Sequence, residues 1–232
     1  MNNLTEIFEK YGIKLSKTQE NQFDKYFHFL VEENKKYNLT AITEENEVVY
    51  KHFIDSVLPY TELPQNAKII DVGTGAGFPG VPLKIIRPDI KLTLLDSLQK
   101  RINFLNSLLS ILEIKDVTTV HSRAEDYVLN NRETFDIALS RAVASVPTLA
   151  EYLIPYVKIG GKVLMYKGNK VYEELKEGEN AIKILGTQVK NILEFSISEI
   201  ESQRFVVVLE KIKHTDKKYP RGKNLPKQKP IL

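Results

Sequence analysis

The sequence contains no cysteine, which excludes disulfides, thiolate-held metals and thiol nucleophiles. No stretch approaches the roughly 20 apolar residues of a membrane-spanning helix. The opening residues, Met1-Asn-Asn-Leu-Thr-Glu, lack both the basic start and the apolar run of a secretion signal. The expectation is a cytoplasmic protein with no membrane attachment. Acid is scarce in one place. Residues 211–232 carry eight lysines and arginines against Asp216 alone, a local charge of +7 in a chain whose net charge is +3. The basic character therefore lies in the C-terminal segment, which either meets phosphate or is a solvated tail. At 232 residues, 42% hydrophobic and 27% charged, the chain is long enough for one domain with an appendage.

One segment organises the rest, Asp71-Val-Gly-Thr-Gly-Ala-Gly-Phe-Pro-Gly80. It follows the β-branched run Lys68-Ile-Ile-Asp, which reads as a buried parallel strand, and precedes apolar residues at helical spacing from Val81 to Arg87. Strand, glycine turn and helix make a nucleotide loop, with main chain open to a ligand and free N–H groups at the helix start. A dinucleotide fingerprint would need a glycine where Phe78 stands. With Asp71 two residues before Gly73, followed by Gly75 and Gly77, the pattern instead resembles the S-adenosylmethionine (SAM) loop of Rossmann-like methyltransferases. Asp71 is then the expected anionic partner for the ammonium of SAM.

The flanking text fits that frame. Residues 1–63 read as a helical extension. Ser16 and Gln19 have the form of a capping box, Phe23, Tyr26, Phe27, Leu30 and Val31 form one apolar stripe, and Asn38–Thr43 is a connection. A further helix carries Val48, Val49, Phe53, Val57 and Leu58. Its His52, Asp55 and Ser56 are read as polar groups turned outward or capped, with a place beside the active-site cleft as the alternative. From 64 to 211 strand and helix alternate as in a doubly wound α/β domain. The expected strands follow Lys68, Ile90–Asp96, Val117–His121, Phe135–Ser140, Lys162–Tyr166, Ile192–Ile197 and Phe205–Glu210, with Gly160-Gly161 as a turn. Residues 212–232 form the basic tail. The fold class is thus α/β, a seven-stranded sheet with helices on both faces.

Asp96 ends the second strand, where a carboxylate either receives both hydroxyls of a ribose or caps the following helix. Ala124 and Glu125 follow the third strand, where this fold holds adenine; Ser122 and Glu125 also have the form of a capping box. Arg141, in Ser140-Arg-Ala142, ends the fourth strand. It faces the acceptor, the carboxylate of SAM, or an acid of the fold. Two absences narrow the chemistry there. The D/N-P-P-Y/F motif of enzymes that methylate exocyclic amines is missing, and carbon-5 methylation of pyrimidines needs a cysteine. N7 of guanine, a lone pair with no proton to lose, remains open and needs only alignment.

Asn38-Leu-Thr-Ala-Ile, His52-Phe-Ile-Asp-Ser56, Asp71–Gly80, Asp96-Ser-Leu-Gln-Lys-Arg101, Ser122-Arg-Ala-Glu125, Ser140-Arg-Ala142 and Tyr219-Pro-Arg occur in that order. In this the chain resembles the glucose-inhibited division protein B family, the guanine-N7 methyltransferases of 16S ribosomal RNA. The resemblance implies a Rossmann-like class I methyltransferase that uses SAM, and a cofactor site including Gly73, Phe78, Ala124, Glu125 and Arg141. It implies no metal and no catalytic base, and an acceptor in the 16S RNA or the assembling small ribosomal subunit, guanine 527 in the family. A monomer is expected. Arg141, Lys100, Arg101 and Arg221 are the candidate RNA contacts, Lys100 and Arg101 being equally readable as solvated cations. On this reading, loss of residues 217–232 weakens RNA methylation more than SAM binding.

Overall fold

The computed structural model describes residues 1, 3–141 and 144–232. Its strands are β1 (Lys68–Val72), β2 (Lys91–Asp96), β3 (Val117–His121), β4 (Phe135–Arg141), β5 (Val157–Lys167), β6 (Thr187–Ile197) and β7 (Ser202–Lys211), in the order β3-β2-β1-β4-β5-β7-β6. Pairings among β1 to β5 are parallel, whereas β7 runs antiparallel to both β5 and β6. The helices are α1 (Leu4–Lys10), α2 (Lys17–Tyr37), α3 (Glu45–Val48), α4 (Asp55–Val57), α5 (Gly80–Ile86), α6 (Gln99–Ile111), α7 (Ala124–Tyr127), α8 (Val146–Leu153), α9 (Val171–Ile184) and α10 (Leu225–Gln228).

Alternation along the strands makes two cores. Ile69, Ile137, Leu139 and Leu164 pack on one face with α1, α2, α5 and α6, while Ile70, Ala138, Val163 and Met165 pack on the other with α8 and α9. Residues 1–63 thus share a core with the sheet. The strand order reverses between β1 and β4, and in such sheets ligands bind beyond the carboxyl ends of the strands at that point.

The Ser16 capping box forms: Ser16 Oγ accepts the Gln19 N–H at 3.3 Å and Gln19 Oε1 accepts the Ser16 N–H at 2.8 Å. The Gln19 amide also donates to the Ile85 carbonyl at 2.8 Å, tying α2 to α5. Between α3 and α4, residues Val49–Ile54 form a π-helical turn, a wider winding than the plain helix expected there. Three other expectations are corrected. Gly160-Gly161 is no turn, because β5 begins at Val157 and runs through both glycines; its pairing with β4 shifts register between Phe135 and Ile137. Ser122 and Glu125 make no capping box, since α7 is preceded by Arg123, and Glu125 accepts from the Arg123 side chain. The C-terminal segment is not a solvated tail. Thr215 and Pro226 are buried, and Tyr219 and Ile231 pack on the second core.

Candidate active site

A cavity of about 550 Å³ opens at the carboxyl ends of β1, β2, β3 and β4, a volume suited to one small ligand. Gly73, Gly75 and Phe78 line it after β1, Asp96 after β2, Ala124 and Glu125 after β3, and Arg141 at the end of β4. Seven of the expected cofactor residues, spread over 69 positions of sequence from Gly73 to Arg141, meet in one space. Arg101 joins them. Ala142, the last residue of the Ser-Arg-Ala motif, lies outside the described residues.

The glycine loop is held from below. Gly73 and Thr74 donate their N–H groups to the Leu95 carbonyl at 2.8 and 3.2 Å, which ties the turn to β2. Asp71 is fully buried under the loop, its Oδ2 accepting the Thr74 hydroxyl at 2.7 Å and the Gly80 N–H at 2.9 Å. It does not line the cavity, so the expected contact with a SAM ammonium is corrected: Asp71 shapes the loop from inside. Burial raises its carboxyl to about 7, against the pull of those two hydrogen bonds. Its Oδ1 has no partner among the described residues, consistent with a carboxyl that holds its proton.

Gly77 is likewise structural. Its φ is +99°, and a Cβ there would sit 2.8 Å from both the Tyr26 hydroxyl and a Val81 methyl. Tyr26, from the middle of α2, is the clamp. Its hydroxyl donates to the Ala76 carbonyl at 2.6 Å, and its ring stacks on Phe78 at 5.2 Å and 8°. The His52 ring also stacks on Phe78, at 4.5 Å and 23°. Phe78 replaces the third dinucleotide glycine and serves as the seat on which the helical extension grips the loop.

His52 and Asp55 settle the question left open in the sequence, because both turn inward to Arg141. Arg141 donates to Asp55 Oδ2 at 2.7 Å, to the Lys51 carbonyl at 2.9 Å and to His52 Nδ1 at 3.0 Å, with its guanidinium 5.0 Å above the Phe78 ring. A guanidinium has only donors, so toward Arg141 Nδ1 is the acceptor; the same nitrogen lies 3.2 Å from the Lys51 carbonyl, and Nε2 lies 2.9 Å from Thr40 Oγ1. Burial, then the charge of Arg141, lowers His52 to about 3. It is a neutral spacer, not a base. Thr40 is placed by Asn34, whose side chain accepts the Leu39 and Thr40 N–H groups at 2.6 and 2.9 Å. The second oxygen of Asp55 pairs with Arg204 of β7 at 3.1 Å.

At the other end of the cavity, Asp96 accepts from Leu98 N–H at 3.0 Å, Gly75 N–H at 3.0 Å and Arg101 at 3.1 Å. The residue preceding α6 is Leu98, so Asp96 is no N-cap in the strict sense. Arg101 is paired with this carboxylate, whereas Lys100 is exposed and donates only to the Tyr37 carbonyl at the end of α2 (2.9 Å). Arg221 is outside the cavity and pairs with Glu151 of α8, which is fully buried. Of the four cations expected to face RNA, Arg101, Arg141 and Arg221 are thus paired with carboxylates of the fold, while Lys100 stays exposed. Asn224 and Lys227 line the cavity and carry no sequence signal of doing so.

This sheet order, a glycine loop after β1 and a carboxylate at the end of β2 define a SAM-dependent methyltransferase. The chain belongs to the GidB family, described as rRNA small subunit methyltransferase G, whose family model matches residues 19–205. It is 48% identical over 224 residues to the ribosomal RNA small subunit methyltransferase G of Clostridium botulinum (strain Eklund 17B / Type B), covering 95% of this chain and 94% of that one. It is 46% identical over 228 residues to the protein of that name from Lactobacillus johnsonii, covering 96% and 95%. Among solved structures, TYW2 of P. horikoshii in complex with MeSAdo superposes with a TM-score of 0.56 at 13% identity, over 68% of this chain and 62% of that one, a likeness of fold. No helix among the described residues is long and apolar enough to cross a membrane.

Proposed function

We propose that this chain methylates N7 of a guanine in 16S rRNA, with guanine 527 as the acceptor and SAM as the donor. The observation that carries the reading is the arrangement at the end of β4. Arg141 is fixed there by Asp55, His52 and the Lys51 carbonyl, and it takes up the two titratable side chains nearest it, His52 and Asp55. His52 has its Nδ1 engaged and its basicity suppressed, and both Asp55 oxygens are paired with arginines. Such a site favours an acceptor that has no proton to lose, and N7 of guanine is one.

The residues present fit SAM. Asp96 is placed to receive ribose hydroxyls. The first N–H groups of α7, at Ala124 and Glu125, have no acceptor inside the helix and suit the ring nitrogens of adenine. Arg141 suits the α-carboxylate, and the ammonium falls to carbonyl groups of the glycine loop. Bound there, SAM supplies an electrophilic methyl group. The chain's part is to hold the donor and bring the acceptor into line, the alignment itself supplying much of the acceleration. On this reading it works in the cytoplasm as a monomer, on 16S rRNA or the assembling small ribosomal subunit. The test is transfer of labelled methyl to 16S rRNA and to small subunits lacking the modification, followed by nucleoside analysis. Label in 7-methylguanosine is expected; label in any other nucleoside would overturn the N7 assignment.

A further inference from the structure

The C-terminal segment was expected to serve RNA, yet its contacts lead to the cofactor cavity. Arg221 donates its backbone N–H to Glu151 Oε1 at 2.7 Å, its Nε to the same oxygen at 2.9 Å and its Nη2 to Oε2 at 2.7 Å. Glu151 is fully buried on α8, so this bidentate pair is its neutralisation, and without it an unpaired charge would sit in the core. Arg221 also donates to the Lys229 carbonyl at 2.7 Å, closing residues 221–229 into a loop around its own guanidinium. One turn before Glu151, the Thr148 hydroxyl donates to the Pro226 carbonyl at 3.1 Å. One residue after it, the Tyr152 hydroxyl donates to Asn224 Oδ1 at 3.1 Å. Asn224 in turn donates its N–H to Glu125 Oε1 at 3.4 Å. Thr148, Tyr152, Asn224, Lys227 and Glu125 all line the cavity.

We infer that the C-terminal segment is a wall of the SAM site, with Asn224 and Lys227 as cofactor-facing residues and Arg221 as the positioning residue that sets them there. The inference rests on SAM occupying this cavity with its purine near Ala124 and Glu125. The Tyr152 hydroxyl takes the amide oxygen of Asn224, which leaves the amide nitrogen as this side chain's donor at the cavity wall. Lys227 adds a cation to the same rim. Arg221 touches none of the lining directly. It acts by pinning the loop at both ends, on α8 through Glu151 and on itself through Lys229. This runs against the expectation that removing residues 217–232 weakens RNA methylation more than SAM binding.

The experiment is calorimetric titration of SAM into the full-length protein and into Asn224→Ala, Lys227→Ala, Arg221→Lys and the paired Glu151→Gln/Arg221→Gln variant, with melting temperatures and the KM for 16S rRNA at saturating SAM. Asn224→Ala is expected to raise the SAM Kd about tenfold, the effect of one or two lost contacts, with a melting temperature lowered by only a few degrees and an unchanged RNA KM. The paired variant removes both charges, so it keeps a neutral core while releasing the loop, and it is expected to weaken SAM as much. Arg221→Lys, which keeps the charge but loses the fork, is expected to weaken SAM less than either. Unchanged SAM affinity in all four, or a loss confined to RNA KM, would overturn the inference. If the unaltered protein does not bind SAM, the underlying reading fails instead.

Discussion

Tyr26→Phe is the substitution that asks most of the clamp, because it removes one oxygen and nothing else. Tyr26 is fully buried, does not line the cavity, and reaches the glycine loop through a 2.6 Å hydrogen bond to the Ala76 carbonyl. Phenylalanine keeps the stack on Phe78 and leaves that carbonyl, on a residue only 5% exposed, without its donor. A buried acceptor orphaned in this way costs about 1–2 kcal/mol. In a chain of this length each kcal/mol moves the melting temperature by about 2–4 °C, so a fall of about 2–8 °C is expected. Ala76 stands between Gly75 and Gly77, so part of that energy holds the loop in the shape that meets the cofactor. If half of it does, the SAM Kd rises about threefold. Thermal melting and calorimetric titration on the same preparation check both numbers. A lower melting temperature with unchanged SAM affinity would refute the claim that the N-terminal extension organises the cofactor loop.

Two further predictions concern buried charge. Asp55→Ala leaves Arg141 and Arg204 facing each other with no acid between them, their side chains 12% and 26% exposed. Removing one partner of a buried pair costs about 3–5 kcal/mol, and since Arg204 reaches solvent the lower end, about 3 kcal/mol, is expected in urea unfolding, together with weakened SAM binding. A loss below about 1 kcal/mol with SAM binding intact would contradict the network. The second concerns pH. Asp71 is raised to about 7 in the folded chain from 3.8, so its contribution is full below pH 3.8 and is lost as pH rises to 7. His52 is lowered to about 3 from 6.5, so its contribution is full above pH 6.5 and is lost as pH falls toward 3. Between about pH 4 and 6.5 the two slopes oppose each other. Asp71→Asn deletes one of them, so this variant should gain on the unaltered protein by roughly 1 kcal/mol per pH unit over that interval. Parallel stability curves would show that Asp71 is ionised throughout.

Sequence periodicity and spacing conveyed the sheet, the glycine loop and the carboxylate of Asp96, because each of these is a local pattern. A strand followed by closely spaced glycines has few alternatives, and an acid at a strand end is visible as such. What escaped depends on contacts made far along the chain. Arg221 and Glu151 are 70 residues apart, and nothing near either names the other. Arg221 therefore read as one more cation in a +7 segment, and Asn224 as nothing at all. His52 and Asp55 sit among apolar residues in a stretch of helical pattern, where polar groups ordinarily turn outward. The π-helical turn at Val49–Ile54 shifts that phase and both side chains turn inward to Arg141. Tyr26 was legible as core but not as clamp, since its ring belongs to the apolar stripe and its hydroxyl carries the specific contact. Asp71 shows the reverse: its position in the motif was plain, but the loop folds over it and turns an expected ligand contact into a support.

The central proposal is that this chain methylates N7 of guanine 527 in 16S rRNA, using the cavity that Arg141 lines. The most direct test is borohydride and aniline cleavage of 16S rRNA from cells with the gene, without it, and with Arg141→Ala in its place. The account predicts a break at guanine 527 that is present with the gene, absent without it, and not restored by the variant. An unchanged cleavage pattern in cells lacking the gene would contradict it.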